Sequence, residues 1–126
     1  MKKKSKPRID PKACNVPNIC FSYMKPSDDR WSKMKRQRLT RGFDDSETWS
    51  LDVTIAKFIV PRLERFIEIY KDFVNDTEAQ LLPKMEAALE AFKIIKNDVP
   101  IFDKETNEKV HKALHDFADI FLALWW

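Results

Sequence analysis

One glycine, Gly42, in 126 residues constrains this chain more than any other feature. A phosphate-cradling P-loop or a dinucleotide fingerprint needs several glycines at fixed spacing, so neither can be built here. Scarce glycine, with abundant Ala, Leu, Lys and Glu after Asp44, points to helices. The one glycine stands where a helix must stop, because it takes the left-handed conformation without steric cost. Asp44 then serves as an N-cap with Glu47 three residues on, an acidic capping box. Asp45 and Glu47 add negative charge to the first turn of the next helix, where the helix dipole favours it.

Apolar periodicity sets the remaining elements. Ser27 caps a first helix over Asp28–Leu39, with Trp31, Met34 and Arg38 on one face and basic residues opposite. The longest helix runs from Ser46 to about Phe73. Leu51, Ile55, Phe58, Ile59, Leu63, Phe66, Ile67, Tyr70 and Phe73 keep its amphipathic period. Pro61 lies mid-way and predicts a kink rather than a break, since the apolar phase continues across it. Thr77 with Gln80 forms a second capping box, opening a helix to about Lys96 with Pro83 near its start. Leu81, Leu82, Met85, Leu89, Phe92 and Ile95 turn inward. After a polar connection over 101–106, a last helix runs from about Asn107 to Trp126. Val110, Leu114, Phe117, Phe121, Leu124 and Trp125 line one face. Its final turns are apolar nearly all round, which predicts burial in the bundle centre or at a subunit interface.

The expected fold class is all-α: a small helical bundle with a long Pro-kinked central helix and a basic, partly irregular N-terminal segment. Residues 1–26 are expected as a flexible basic segment and 27–126 as the helical bundle domain. Residues 19–24 are apolar enough to lie on the body or on a partner subunit.

Charge is unevenly placed. Residues 1–41 hold 13 Lys/Arg against 3 Asp/Glu, a net of +10. Residues 42–126 hold 10 against 17, a net of −7. A basic third on an acidic body suits an anionic ligand, nucleic acid, or docking on the acidic body of its own or a neighbouring subunit. Cys14 and Cys20 are too few for a zinc site without further ligands. No signal peptide and no membrane span is read from the sequence, so a reducing, cytoplasmic location in the host cell is expected, with no membrane partner.

Catalytic constellations are weak. His111 and His115 are one helical turn apart, but no Glu stands between them as a zinc hydrolase motif requires. Asp44, Asp45, Glu47 and Asp52 could surround Mg²⁺, yet helix capping accounts for half of them. No cofactor, metal site or enzymatic activity is therefore expected. More suggestive are Lys33, Lys35, Arg36, Arg38 and Arg41 close to Trp31, Phe43 and Trp49. Arginine gives bidentate phosphate contacts and aromatic rings give stacking faces for bases.

At these residues the chain resembles a family of small proteins encoded widely by bacteriophages and prophages. Arg41-Gly-Phe-Asp-Asp-Ser-Glu-Thr-Trp49-Ser-Leu-Asp52 carries the resemblance, followed by Thr54-Ile-Ala-Lys-Phe-Ile-Val-Pro-Arg-Leu63 and, less specifically, residues 117–126. Small phage proteins of this helical, oligomeric kind include sponges that sequester cyclic nucleotide immune signals. The resemblance thus implies tight binding without catalysis. From the sequence itself a homo-oligomer is expected, to which the N-terminal segment and the Trp-rich end contribute. In that role Arg36, Arg38 and Arg41 hold phosphates, and Trp31, Phe43 or Trp49 stacks on bases. Asp45, Thr48 and Asp52 take base-edge or ribose hydrogen bonds. Two alternatives stand beside this one: a nucleic-acid-binding accessory protein using the basic N-terminal third, and a protein–protein inhibitor of a host factor.

Overall fold

The computed structural model describes residues 16–73, 78–98 and 100–126. The lysine run near the start, Cys14 and the Thr77 capping box lie outside the described residues. Among the described residues there are four α-helices and no strand: α1 (Trp31–Arg41), α2 (Leu51–Phe73), α3 (Leu82–Lys96) and α4 (Lys104–Ile120). The chain divides into two compact units, residues 1–54 and 55–126, with the boundary inside the first turns of α2.

In the first unit, α1 stops at Gly42 as its conformation allows. Gly42 sits at φ 90°, and its N–H donates to the Arg38 carbonyl at 2.9 Å. The start of α1 differs from the sequence expectation. Ser27 caps nothing, and the helix begins at Trp31 after Arg30, with no side-chain cap. The reason is local: the Asp28 carboxylate accepts the Arg30 N–H at 2.8 Å and ion-pairs with its guanidinium at 3.0 Å. That side-chain turn competes with helix for residues 28–30. The Asp44–Glu47 capping box is present, but it opens a 3₁₀ turn over Asp45–Thr48 rather than the long helix itself. The α-helix expected from Ser46 starts five residues later, at Leu51.

The second unit holds the main core. From α2 come Ala56, Val60, Leu63, Ile67 and Tyr70; from α3, Met85, Ala88 and Phe92; from α4, Ile120. Phe92 meets Phe117 edge-on at 5.1 Å. Ala91, Val110 and Ala113 form a smaller cluster between α3 and α4. Alanines on these faces let the helix backbones approach closely. Helix α2 runs through Pro61 without interruption. Ion pairs Lys71–Glu86, Lys93–Glu64 and Lys84–Asp119 link the helices at the surface, each in solvent and so worth at most about 1 kcal/mol.

Three sequence expectations need correction here. In the first half of α2 the buried stripe is Val53, Ala56 and Val60, while Leu51, Ile55 and Phe58 are about half exposed. Two stripes at helical spacing were available, and the smaller residues took the inside. Helix α4 starts at Lys104 because Asp103 caps it, accepting the Thr106 N–H at 2.8 Å. It also ends early: after Ile120 a short 3₁₀ turn, Phe121–Ala123, leads to Trp126, and Phe121 and Trp125 face outward.

Met85 has no solvent exposure and touches the centre of the main core. Replacing Met85 with Ala should lower unfolding free energy by about 2–5 kcal/mol, measured by urea denaturation. Replacing exposed Phe102 should change it by less than about 0.5 kcal/mol.

Candidate ligand-binding site

The site residues named from the sequence all fall in the first unit, and the structure separates them into an inner and an outer set. The inner set is organised by Arg38 and Asp44, exposed to only 1% and 0%. Their side chains form an ion pair. Arg38 Nη1 also donates to Ser22 Oγ at 3.0 Å. Ser22 Oγ donates to Asp44 and accepts the Met24 N–H at 3.1 Å. Ser46 donates both its N–H and its hydroxyl to the other Asp44 oxygen. The Trp31 ring lies under the Arg38 guanidinium, 5.1 Å from its centroid.

This cluster holds down the chain that precedes α1. Phe21 N–H donates to Glu47 Oε1 at 2.9 Å, and Tyr23 N–H donates to Ser46 Oγ at 3.0 Å. The same Glu47 carboxylate accepts the Asp44 N–H through Oε2, closing the capping box. Residues 21 and 23 are therefore pinned at their amides by the side chains of Glu47 and Ser46. Within the expected N-terminal segment, Phe21 and Tyr23 are thus held against the turn after Gly42, and Met24 is buried, while Ile19 is exposed.

Burial pushes the Asp44 carboxyl up. Hydrogen bonds from Ser22, Ser46 and Arg38 outweigh it, and the group sits below its ordinary value of 3.8. The Cys20 thiol is pushed up by burial, which opposes thiolate chemistry there.

The outer set consists of two arginine–ring pairs. Arg41 lies over the Phe43 ring, 4.3 Å from its centroid. It donates to the Phe43 carbonyl at 2.9 Å and pairs with Asp45 at 2.7 Å. Gln37 bridges the same carboxylate, donating from Nε2 at 2.9 Å while its Oε1 accepts the Asp45 N–H at 2.9 Å. Those bonds, from Arg41 first and Gln37 second, hold the Asp45 pKa below its ordinary value. The second pair is Arg30 over Trp49 at 5.1 Å, with Tyr23 stacked on the same indole at 6.2 Å and 15°. Phe43 and Trp49 remain 45% and 52% exposed.

The other named residues fall as follows. Arg36 is half-buried, and its Nε is buried without a hydrogen-bond partner. Thr48 is exposed, but its hydroxyl is used locally on the Asp45 carbonyl at 2.7 Å. Asp52 is exposed in the first turn of α2. Arg38, expected to hold a phosphate, is instead enclosed and committed to Asp44. Trp31 is its platform, and so is placed away from the role of an open stacking face. Sequence reasoning missed Arg30, Gln37, Ser22 and Tyr23 as partners. Only the proximity of Tyr23 to an apolar run hinted at them.

Among the described residues, no group of three or more His, Cys, Asp or Glu is placed to hold a metal ion. No helix among them is long and apolar enough to cross a membrane. Comparison with protein families, curated proteins and solved structures finds no match for this chain.

Removing one partner of a buried pair strands the other charge without solvent. Asp44→Ala should therefore cost about 3–5 kcal/mol, and Asp45→Ala, in an exposed pair, far less. Urea unfolding followed by tryptophan fluorescence distinguishes the two. The pH dependence has a definite sign. A carboxyl depressed in the folded state stabilises fully above its ordinary value and loses that contribution as pH falls. Asp44 should thus contribute an acid-induced loss of stability that begins only below about pH 4, absent from Asp44→Asn when the acid limbs are compared.

Proposed function

We propose that the first unit is a non-enzymatic binding module for a small anionic nucleotide, in a phage-encoded protein that acts in the host cytoplasm by sequestering such a signal. The observation that carries this reading is the pair of exposed guanidinium–ring stacks, Arg41 on Phe43 and Arg30 on Trp49. A nucleotide needs a flat apolar face for its base and a charged donor for its phosphate. Each stack sets a half-exposed aromatic ring beside a guanidinium, at 4.3 Å for Arg41 on Phe43 and 5.1 Å for Arg30 on Trp49.

The energetics favour exchange of partners at this surface. Arg41 and Asp45 are 41% and 50% exposed in their side chains, so their ion pair is weak and replacing Asp45 with a phosphate gives up little. Backbone and side-chain bonds from Phe43, Gln37 and Asp45 hold the Arg41 guanidinium in place beforehand, which lowers the entropy lost on binding. Arg38 has no part in ligand contact under this reading; it holds the frame.

A second reading, binding of single-stranded nucleic acid, is favoured by the +10 net charge of residues 1–41. The two differ in salt response, because a polyanion releases counterions on binding and a small ligand releases few.

Thermal unfolding with cyclic dinucleotides, mononucleotides and a short oligonucleotide, at low and moderate salt, tests both. A ligand at a hundred times its Kd stabilises by about 2.7 kcal/mol, several degrees for a chain of this size. The expected result is a salt-resistant shift with one small nucleotide, lost in Arg41→Ala and in Trp49→Ala. A shift with the oligonucleotide alone, abolished by salt, would transfer the function to the basic segment. No shift with any of them would refute both readings.

A further inference from the structure

We infer that the groove between α3 and α4 is a docking site for one α-helix of a partner protein, a helix with a small apolar seam, basic residues along one edge and acidic residues along the other. The groove has a volume of about 280 Å³ and lies wholly within the second unit. Its floor is Ala87 and Ala91, one turn apart on α3, with Ala113 on α4. Ala91 and Ala113 belong to the small cluster that closes the two helices together, and Ala87 packs against it. Above the floor stand Glu86 and Glu90 on α3 and Lys109 and Lys112 on α4, all four exposed.

Shape selects a helix over a small molecule. On α4 the lining runs from Lys109 to Asp116, two turns or about 10 Å at a rise of about 1.5 Å per residue. The floor side chains are methyl groups alone, and the charged groups stand only on the rims. A small-molecule pocket sets convergent polar groups around its ligand to fix orientation. An apolar seam with charged flanks is instead how one helix reads another. Alanine also leaves no side-chain bulk to hold a guest backbone away. A second copy set against the groove across a two-fold axis fits poorly, because concave would face concave and leave a void between the alanines.

Charge decides the chemistry of the guest. Glu86 is paired with Lys71 at 3.3 Å, and Lys112 with Asp116 at 3.3 Å. Glu90 and Lys109 line the same groove, yet among the described residues neither is in an ion pair, with the other or with a third group. Two opposite charges held apart across an apolar floor call for a guest cation at Glu90 and a guest anion at Lys109. A helix whose seam is flanked by opposite signs supplies both at once, as the flanking positions of a coiled coil do. This inference is independent of the ligand proposed for the first unit.

Three synthetic helical peptides with the same alanine-rich seam give the test: one with Lys on one edge and Glu on the other, one with Lys on both, one with Glu on both. Each is titrated into the full chain. Binding is read from the NMR methyl signals of Ala87, Ala91 and Ala113 and from the fluorescence anisotropy of the labelled peptide. The mixed peptide should move those methyl signals and bind roughly two- to fivefold tighter than either single-sign peptide, the range set by exposed ion pairs. Glu90→Lys places Lys on both sides of the floor and should pass the preference to the Glu peptide. Far-UV circular dichroism should keep the wild-type helix signal, since Glu90 is exposed. Alanine signals that no peptide moves would overturn the inference. So would equal binding of all three peptides, or a preference that Glu90→Lys leaves unchanged. Alanine signals that shift with protein concentration alone would give the groove to a second copy and overturn it too.

Discussion

A buried ion pair, Arg38 with Asp44, is the interaction on which the first unit depends. Placing two charges where water has no access costs several kcal/mol for each ion, and attraction alone seldom repays it. Repayment here comes from complete hydrogen bonding of the carboxylate: Arg38 and Ser22 on one oxygen, the Ser46 amide and hydroxyl on the other. Those partners come from three pieces of chain: residues 20–24, helix α1, and the turn after Gly42. The pair is thus a point where three segments are joined. A methionine in place of Arg38 would fill part of the space, but it would leave the Asp44 oxygens and the Ser22 hydroxyl to find other partners.

That arrangement divides the work among residues that look alike in the sequence. Arg38 and Arg41 are one helical turn apart on α1, yet one is enclosed and the other is held at the surface over Phe43. Asp44 and Asp45 are adjacent, and they too split, one to the interior and one to the outer pair. The inner members fix the backbone. Of the outer members, Arg41 is left as an oriented, solvent-accessible cation on an aromatic face, and Asp45 is its exposed partner. The geometry of that surface depends on the frame beneath it, since Arg41, Phe43 and Asp45 all lie in or beside the turn that Asp44 and Glu47 close.

Much of the fold was legible because it follows from local chemistry. Gly42 as a helix stop and Asp44 with Glu47 as a capping box need only the preferences of those residues, and both are present. The all-α class followed from glycine scarcity and helical periodicity. Register was harder to read. In α2 the larger Leu51, Ile55 and Phe58 compete with Val53, Ala56 and Val60 for the inside, and hydrophobicity alone favours the larger set. Close helix packing favours the smaller one. The site was legible in composition but not in orientation. Nothing in a run of Lys and Arg says which arginine will meet a buried carboxylate. The deciding partner, Ser22, lies sixteen residues away, and its role appears only once the chain has folded back.

The most direct test of this account is amide hydrogen exchange, read by NMR, at Phe21 and Tyr23. Their N–H groups are bound by the side chains of Glu47 and Ser46 rather than by any regular element. If the Arg38–Asp44 pair joins the three segments into one cooperative unit, both amides exchange as slowly as the interior amides of α1 and share their opening free energy. Exchange at the rate of an open loop, with α1 still protected, would mean that residues 20–24 are not held by Glu47 and Ser46. The buried pair would then not be what organises the unit.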